Sequence, residues 1–125
     1  MAQETNPSDI ASVVEKPWGK YEVIHRRDGQ VVKILTVMPH QSLSLQSHEH
    51  RAELWYVLEG AVEAEVDGKA STTEPNGTIT IPVGSRHRLT NRRSVPAVVL
   101  EVAFGEKLLE SDITRYKDRY GRKLG

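Results

Sequence analysis

Two Asp-Gly pairs constrain this chain strongly, because each one can turn the backbone back on itself within two residues. Asp28-Gly29 separates an alternating stretch, residues 21–27, from a stretch rich in Val, Ile and Thr, residues 30–38, and Asp67-Gly68 follows a stretch in which apolar residues alternate with glutamates. Asp-Gly between alternating segments is the sequence signature of a two-residue β-hairpin. The sequence therefore predicts antiparallel strands joined by tight turns.

The rest of the chain repeats this punctuation, with short β-prone segments separated by Gly, Pro and Asn. The predicted strands cover residues 21–27, 30–38, 43–46, 53–59, 61–66, 78–81, 86–91 and 95–104. Many short strands at regular spacing are typical of a β-sandwich or β-barrel. We therefore predict an all-β fold.

The C-terminal tail has a different pattern. Ile113, Tyr116 and Tyr120 are three or four residues apart, Ser111 or Asp112 is suited to an N-cap, and Gly121 is suited to a helix end. Apolar residues at this spacing between such caps predict one short closing α-helix.

Size and charge indicate one small domain. We predict a polar lead-in over residues 1–15 and a single domain over residues 16–125, which is long enough for one core. Lys plus Arg and Asp plus Glu each number 17, a balance that argues against a nucleic-acid or membrane partner. No apolar run approaches the roughly 20 residues of a membrane span. The N-terminus is unlike a secretory signal, so we expect a cytoplasmic protein. Cysteine is absent, which excludes disulfides and thiolate ligands.

The segment around residues 48–53 carries the strongest chemical signal. His48 and His50 are two apart, so their side chains point to the same face of an extended strand. A bend before Glu53 would bring its carboxylate to the two imidazoles. Such a set suits a divalent transition metal, although a solvated turn rich in His and Glu has the same sequence.

A second segment brings in another histidine. Residues 82–91 follow the pattern P-x-G-x-x-H-x-x-x-N, in which a Pro-Gly turn would deliver His87 from a different strand. The two segments together predict a metal site with four ligands, His48, His50, Glu53 and His87.

The paired segments resemble the two motifs of the cupin superfamily. In that superfamily the first motif has a Gly seven positions beyond its Glu, as Gly60 follows Glu53 here. Further stretches narrow the resemblance to the type II phosphomannose isomerase domain, usually the C-terminal part of bifunctional mannose-1-phosphate guanylyltransferase/mannose-6-phosphate isomerases. They are residues 17–21, 32–33, 36–37, 43–46, 50–53, 81–82, 87–89, 101–102, 112–113 and 118–122. The resemblance implies a cupin fold, a double-stranded β-helix or jelly-roll barrel, to which we add the short C-terminal helix.

The chain also departs from that family. The family usually has His where Glu49 and Leu54 stand, Gly at His40 and Gln at Ala103. Nothing in the sequence resembles the Gly-rich nucleotide loop of the guanylyltransferase half, so we expect no guanylyltransferase activity.

The resemblance implies a metal-dependent aldose-ketose isomerase that interconverts mannose 6-phosphate and fructose 6-phosphate and feeds GDP-mannose and polysaccharide synthesis. A metal would polarise the substrate oxygens as a Lewis acid. Three His and one Glu on an octahedral ion would leave positions open for substrate. We expect zinc, with iron, manganese, nickel and cobalt as alternatives. The partners expected are a small-molecule sugar phosphate and, as is usual for barrels of this family, a second copy in a homodimer.

Proton transfer and phosphate binding need further side chains. Glu101 interrupts an apolar strand and is a candidate for the catalytic base, the alternative being a solvated strand residue. Glu49 is a weaker candidate for the base, because it points opposite its histidine neighbours in an extended segment. A buried lysine inside the barrel would be costly unless it met an anion or a carboxylate. We therefore predict Lys33, together with Glu101, as a catalytic residue. For the phosphate we predict Arg51, Arg86 and Arg88, because arginine can hold a phosphate with two parallel hydrogen bonds.

Two other functions fit the same residues. One is a non-catalytic, metal- and sugar-binding cupin that acts beside a separate nucleotidyltransferase. The other is a different cupin enzyme, such as an iron dioxygenase with a similar set of three His and one Glu. The cations near the motifs favour the isomerase, whereas the substituted Glu49, Leu54 and Ala103 favour the non-catalytic protein.

Overall fold

Eleven β-strands are found in the part of the chain that the computed structural model describes, which is residues 12–106, 108–109 and 111–122. The strands are β1 (Ser12–Lys16), β2 (Gly19–Arg27), β3 (Gln30–Val37), β4 (Leu45–Ser47), β5 (Ala52–Glu59), β6 (Val62–Val66), β7 (Lys69–Thr73), β8 (Thr78–Ile81), β9 (His87–Thr90), β10 (Ala97–Phe104) and β11 (Thr114–Lys117). The all-β prediction is confirmed. None of the described residues forms a helix long and apolar enough to cross a membrane.

The strands form two antiparallel sheets. One sheet has the order β1-β2-β3-β10-β5-β8, and the other has the order β11-β4-β9-β6-β7. Both Asp-Gly pairs form hairpins, joining β2 to β3 and β6 to β7. Asp67 and Gly68 have φ values of 49° and 84°, the left-handed pair that a type I′ turn requires.

The core lies between the two sheets, because alternate residues of each strand point inward. Leu35, Trp55 and Val99 from the six-stranded sheet belong to one buried cluster with Ala64 and Leu89 from the five-stranded sheet. The same alternation carries several polar side chains inward at one end of the barrel. These polar side chains form the site described below.

The predicted C-terminal helix is wrong. The tail instead forms β11, which pairs with β4 at the edge of the five-stranded sheet. The apolar spacing of Ile113, Tyr116 and Tyr120 was misleading, because Ile113 lines the cavity while the Tyr116 hydroxyl lies 2.8 Å from the Ser47 hydroxyl. An available strand edge therefore outweighed the local helical pattern.

The N-terminal boundary of the domain also needs correction. Residues 12–16 were assigned partly to the lead-in, but β1 pairs with β2 over its whole length. Residues 1–11 of the predicted lead-in lie outside the described residues. The folded domain therefore includes residues from Ser12 onward.

The outer face of the six-stranded sheet is apolar along its central strands. Its half-buried side chains are Val32, Ile34, Leu54, Tyr56, Val98, Leu100 and Val102. An antiparallel sheet with one solvated face usually carries polar residues there, so this face resembles a sheet that is covered on both sides.

The homodimer stays a prediction, and the apolar outer face of the six-stranded sheet is the surface where we expect the two copies to meet. Leu100 lies between Ile34 and Tyr56 in the sheet register, at the middle of the apolar face. If a second copy covers the face, Leu100→Lys will convert the dimer to a monomer in sedimentation velocity, because it buries a charge in the contact. Val83→Lys, at an exposed apolar residue in the segment after β8, serves as the control and leaves the dimer intact. A wild-type monomer at micromolar concentration contradicts the prediction.

His40 occupies a left-handed backbone conformation with φ of 62°. The type II phosphomannose isomerase domains that the sequence resembles usually have glycine at this position. A side chain with a Cβ in this conformation costs roughly 1–2 kcal/mol. We expect His40→Gly to raise the free energy of unfolding in urea by about 1 kcal/mol. His25→Gly, in the exposed part of β2, should instead lower it, since glycine weakens a strand. Equal losses in both variants would show that His40 is not strained.

Candidate metal centre and cavity

Three strands bring a buried cluster of metal-ligand side chains together. His48 follows β4, Glu53 lies in β5, and His87 is the first residue of β9. One ligand atom from each residue lies within 4.8 Å of the other two, and all three residues are buried. The sequence-based expectation that two separate motifs converge is borne out in the geometry for these three residues.

Both histidines are held in the tautomer that leaves Nε2 free to accept. His48 Nδ1 donates to the Asp112 carbonyl oxygen at 2.6 Å, and His87 Nδ1 donates to the Ser85 carbonyl oxygen at 3.0 Å. Burial, followed by the nearby Arg51 charge, lowers the pKa of His48 to about 4, and burial lowers the pKa of His87. Neutral imidazoles with an anchored Nδ1 are the form in which histidine binds a metal.

The Glu53 carboxylate is the anion of the cluster. Its Oε1 accepts a hydrogen bond from Trp55 Nε1 at 3.0 Å, and its Oε2 accepts one from Arg51 Nε at 3.0 Å. Glu53 Oε2 also lies 3.3 Å from His48 Nε2. The donor atoms therefore suit a divalent metal with two nitrogen ligands and one oxygen ligand.

Arg51 is inside this cluster rather than beside it. The side chain is buried, and its Nη2 lies 3.1 Å from His48 Nε2 while its Nε binds Glu53. The prediction placed Arg51 on a substrate phosphate. In the structure its guanidinium instead pairs with two of the three residues that could hold the metal.

His50 does not join the cluster, which corrects the predicted convergence of four ligands. Its side chain is 45% exposed and points to Glu49, 4.0 Å away. The Asp112 carboxylate accepts hydrogen bonds from the backbone N–H groups of Glu49 and His50, both at 2.9 Å. The segment is thus a turn held by Asp112, so the period of two that applies to an extended strand does not hold. The local sequence pattern indicates Ser111 or Asp112 as a helix cap, and it gives no signal for this role of Asp112.

Glu101 and Lys33 both face the interior, as predicted for functional residues, and their roles stay predictions. They are partners in the β3–β10 register, and Glu101 is opposite Trp55 on the other side. Burial and the Glu53 charge raise the pKa of Glu101 to about 7, although the Lys33 charge opposes this. The Lys33 ammonium lies 4.4 Å from the centre of the Tyr21 ring. Glu101 therefore exchanges its proton near neutral pH.

An open cavity adjoins the cluster, and its charged lining is mostly cationic. The charged lining residues are Lys16, Lys33, Arg51, Glu53, Arg88, Glu101, Arg115 and Arg122. Arg122 is paired with Asp118 through two hydrogen bonds of 2.9 and 3.0 Å. The remaining lining includes Trp18, Tyr21 and Trp55, so the cavity offers aromatic surface as well as charge.

Arg115 is a lining residue that the sequence analysis missed. It lies in β11 opposite Gln46, which is itself opposite His87 in β9, so Arg115 is on the inner face of the sheet. Its Nε–H is buried and has no hydrogen-bond acceptor among the described residues. Arg115 was not predicted because the tail was expected to be a helix. Its side chain can be assigned to the cavity only from the register of β11 with β4.

The two other predicted phosphate ligands differ in position. Arg88 lines the cavity, but it follows His87 in β9 and its Nη2 donates to the Lys117 carbonyl oxygen at 3.2 Å. Arg86 lies over the Tyr116 ring at 4.0 Å and is not among the residues lining the cavity. The structure therefore does not bring Arg86 to the cavity, and its assignment to the phosphate stays a prediction.

Two antiparallel β-sheets with an inward-facing His–Glu–His cluster define a cupin domain. The fold matches the cupin domain of Cnp3 from Schizosaccharomyces pombe with a TM-score of 0.67 at 11% identity, over 69% of this chain and 64% of that one. The chain belongs to the family described as Mannose-6-phosphate isomerase C-terminal, whose model matches residues 3–118.

Two bacterial relatives show the context of the family. Mannose-1-phosphate guanylyltransferase from Escherichia coli strain K12 is 43% identical over 109 residues, which are 87% of this chain and 23% of that protein. Alginate biosynthesis protein AlgA from Pseudomonas putida is 42% identical over 87% of this chain and 22% of its own length. The chain therefore spans less than a quarter of these relatives, which belong to mannose and polysaccharide metabolism.

These relatives overturn the predicted function. Interconversion of mannose 6-phosphate and fructose 6-phosphate was inferred from the resemblance, but the matched proteins are named for guanylyltransfer and alginate biosynthesis. The family description refers to a C-terminal region, and its model matches residues 3–118 of this chain. The geometry also differs from the assumed centre, because His50 lies outside it and Arg51 inside. The assignment as an isomerase is therefore withdrawn.

The raised pKa of Glu101 predicts a pH dependence of stability. A carboxyl with a folded-state pKa above its unfolded value contributes stability below the unfolded pKa, and loses it as pH rises through the folded pKa. Glu101→Gln has no carboxyl at this position, so it does not lose stability in this way as the pH rises. We expect the stability of Glu101→Gln relative to wild type to rise between pH 5 and pH 8, by at most on the order of 3 kcal/mol. Urea unfolding at several pH values measures it.

Glu59→Gln provides a matched control, since Glu59 is exposed at the end of β5. The buried histidines titrate in every variant, so their contribution cancels in the difference. A pH-independent difference between Glu101→Gln and wild type would contradict the assigned proton exchange.

Proposed function

We propose that this domain binds a phosphorylated mannose in the barrel cavity, next to the His–Glu–His cluster. The observation that carries the proposal is the Arg115 guanidinium, which faces the cavity with a buried Nε–H that lacks an acceptor. A buried donor without a partner costs free energy, and a phosphate oxygen would satisfy it with a strong charge-assisted hydrogen bond.

The charge of the cavity supports an anionic ligand. Six lining side chains are basic, whereas Glu53 and Glu101 are the acidic residues of the described lining. Glu53 is already hydrogen-bonded to Arg51 and Trp55, so it does not neutralise the side chains nearer the mouth. Excess positive charge in a recess of low dielectric raises the local concentration of anions.

The sugar part of the proposal comes from the relatives and from the aromatic lining. The Escherichia coli relative is named for mannose 1-phosphate, and AlgA is named for alginate, a polysaccharide. Trp18 and Tyr21 give the cavity an apolar wall, while Lys33 and Glu101 supply a donor and an acceptor for sugar hydroxyls. We also propose zinc for the cluster, because two His and one carboxylate leave one tetrahedral position open. A cytoplasmic location belongs to the same proposal, since sugar phosphates are made there.

Isothermal titration calorimetry tests the proposal with mannose 1-phosphate, mannose 6-phosphate and unphosphorylated mannose. We expect a mannose phosphate to bind at least tenfold more tightly than mannose. Arg115→Ala should weaken phosphate binding by about 10- to 100-fold, the loss of one charged hydrogen bond of 1.5–3 kcal/mol.

Arg93→Ala is the matched control for this loss. Arg93 is an exposed arginine paired with Glu74 on the surface, away from the cavity, so its removal should leave binding unchanged. Equal affinity for mannose and its phosphates, or an Arg115→Ala variant that binds like wild type, would refute the proposal.

A further inference from the structure

Arg51 fills the place where a metal would bind. Its guanidinium spans Glu53 Oε2 through Nε at 3.0 Å and His48 Nε2 through Nη2 at 3.1 Å. We propose that Arg51 is the resident cation of the His48–Glu53–His87 cluster, and that a divalent metal binds there by displacing it. This inference rests on the zinc site proposed above, and it is independent of the proposed binding of a mannose phosphate.

Arg51 and a metal ion would compete for the lone pair of His48 Nε2. His48 Nδ1 donates to the Asp112 carbonyl, so Nε2 is the only ring nitrogen that can bind a metal, and that lone pair faces Arg51. A zinc ion would need about 2.0–2.2 Å to the same nitrogen and to a Glu53 oxygen. An N–H group and a metal cannot share one lone pair, and two cations at such separation repel each other.

The guanidinium also explains why the cluster stays assembled around a buried carboxylate. Glu53 is buried, and a buried carboxylate needs a charged or hydrogen-bonding partner. Arg51 supplies both, with the planar geometry that arginine presents to two acceptors. His87 Nε2 is 3.8 Å from Glu53 Oε1, so it does not satisfy the carboxylate directly.

The backbone around Arg51 is held in place by a close approach to Gly105. A Cβ atom on Gly105 would lie 2.1 Å from the His50 carbonyl oxygen and 3.1 Å from Arg51 Cα. Glycine therefore lets the end of β10 pack against residues 50 and 51. Because this backbone is confined, displacement of Arg51 means rotation of its side chain. The cavity, which Arg51 also lines, gives that side chain room.

Zinc binding to purified protein, measured by competition with a chromophoric chelator, tests the inference. Arg51→Gln retains polar bulk but removes the charge, so we expect it to bind zinc at least tenfold more tightly than wild type. Arg51→Lys keeps a charge that cannot bridge both acceptors, and should show a smaller gain. Arg93→Gln is the surface control and should bind like wild type.

A second measurement identifies the ligands and does not depend on activity. His87→Ala in the Arg51→Gln background should lose the gained affinity, which assigns the metal to this cluster. The melting temperature of Arg51→Gln should fall without metal and rise more than that of wild type when zinc is added. Equal or weaker zinc affinity in both Arg51 variants, or no zinc binding in any variant, overturns the inference. Neither result bears on the Arg115-dependent binding of mannose phosphates, which the calorimetric titrations test separately.

Discussion

The buried carboxylate of Glu53 is the constraint on which the site depends. An isolated charge in this interior would be prohibitively costly, so every neighbour is arranged around it. Trp55 and Arg51 donate to its two oxygens, and the same negative charge helps keep Glu101 protonated up to near neutral pH. Lys33 of β3, Glu101 of β10 and Glu53 of β5 therefore form a polar row on the inner face of one sheet.

This polar row has a functional consequence because it lies at the inner end of a cationic cavity. The neutral histidines present Nε2 lone pairs, and the arginines present N–H donors, so the centre attracts cations while the mouth attracts anions. A ligand with hydroxyl groups and a phosphate matches that division. Arg51 links the two parts, because its guanidinium belongs to the centre and borders the cavity.

Much of the fold was predictable from local patterns, and part of the site was as well. The Asp-Gly turns and the alternation of apolar residues located most strands to within a few residues. Alternation placed Lys33 and Glu101 on the face opposite their apolar neighbours but left open whether Glu101 points inward. The structure shows that both side chains are buried. The tail failed because Ile113 and Tyr116 fit a helix and a strand equally well, and only the free edge of β4 decided between them.

The sequence by itself determined the all-β fold, because alternation with a period of two and turn residues are local signals. It also contained the two motifs that carry His48, Glu53 and His87. Tertiary structure decided the remainder. Asp112 comes from sixty or more residues away to shape the turn that directs His50 outward, and β11 brings Arg115 into the cavity. Such contacts depend on which strand edges and backbone donors become neighbours on folding, and short-range sequence patterns carry no information about that.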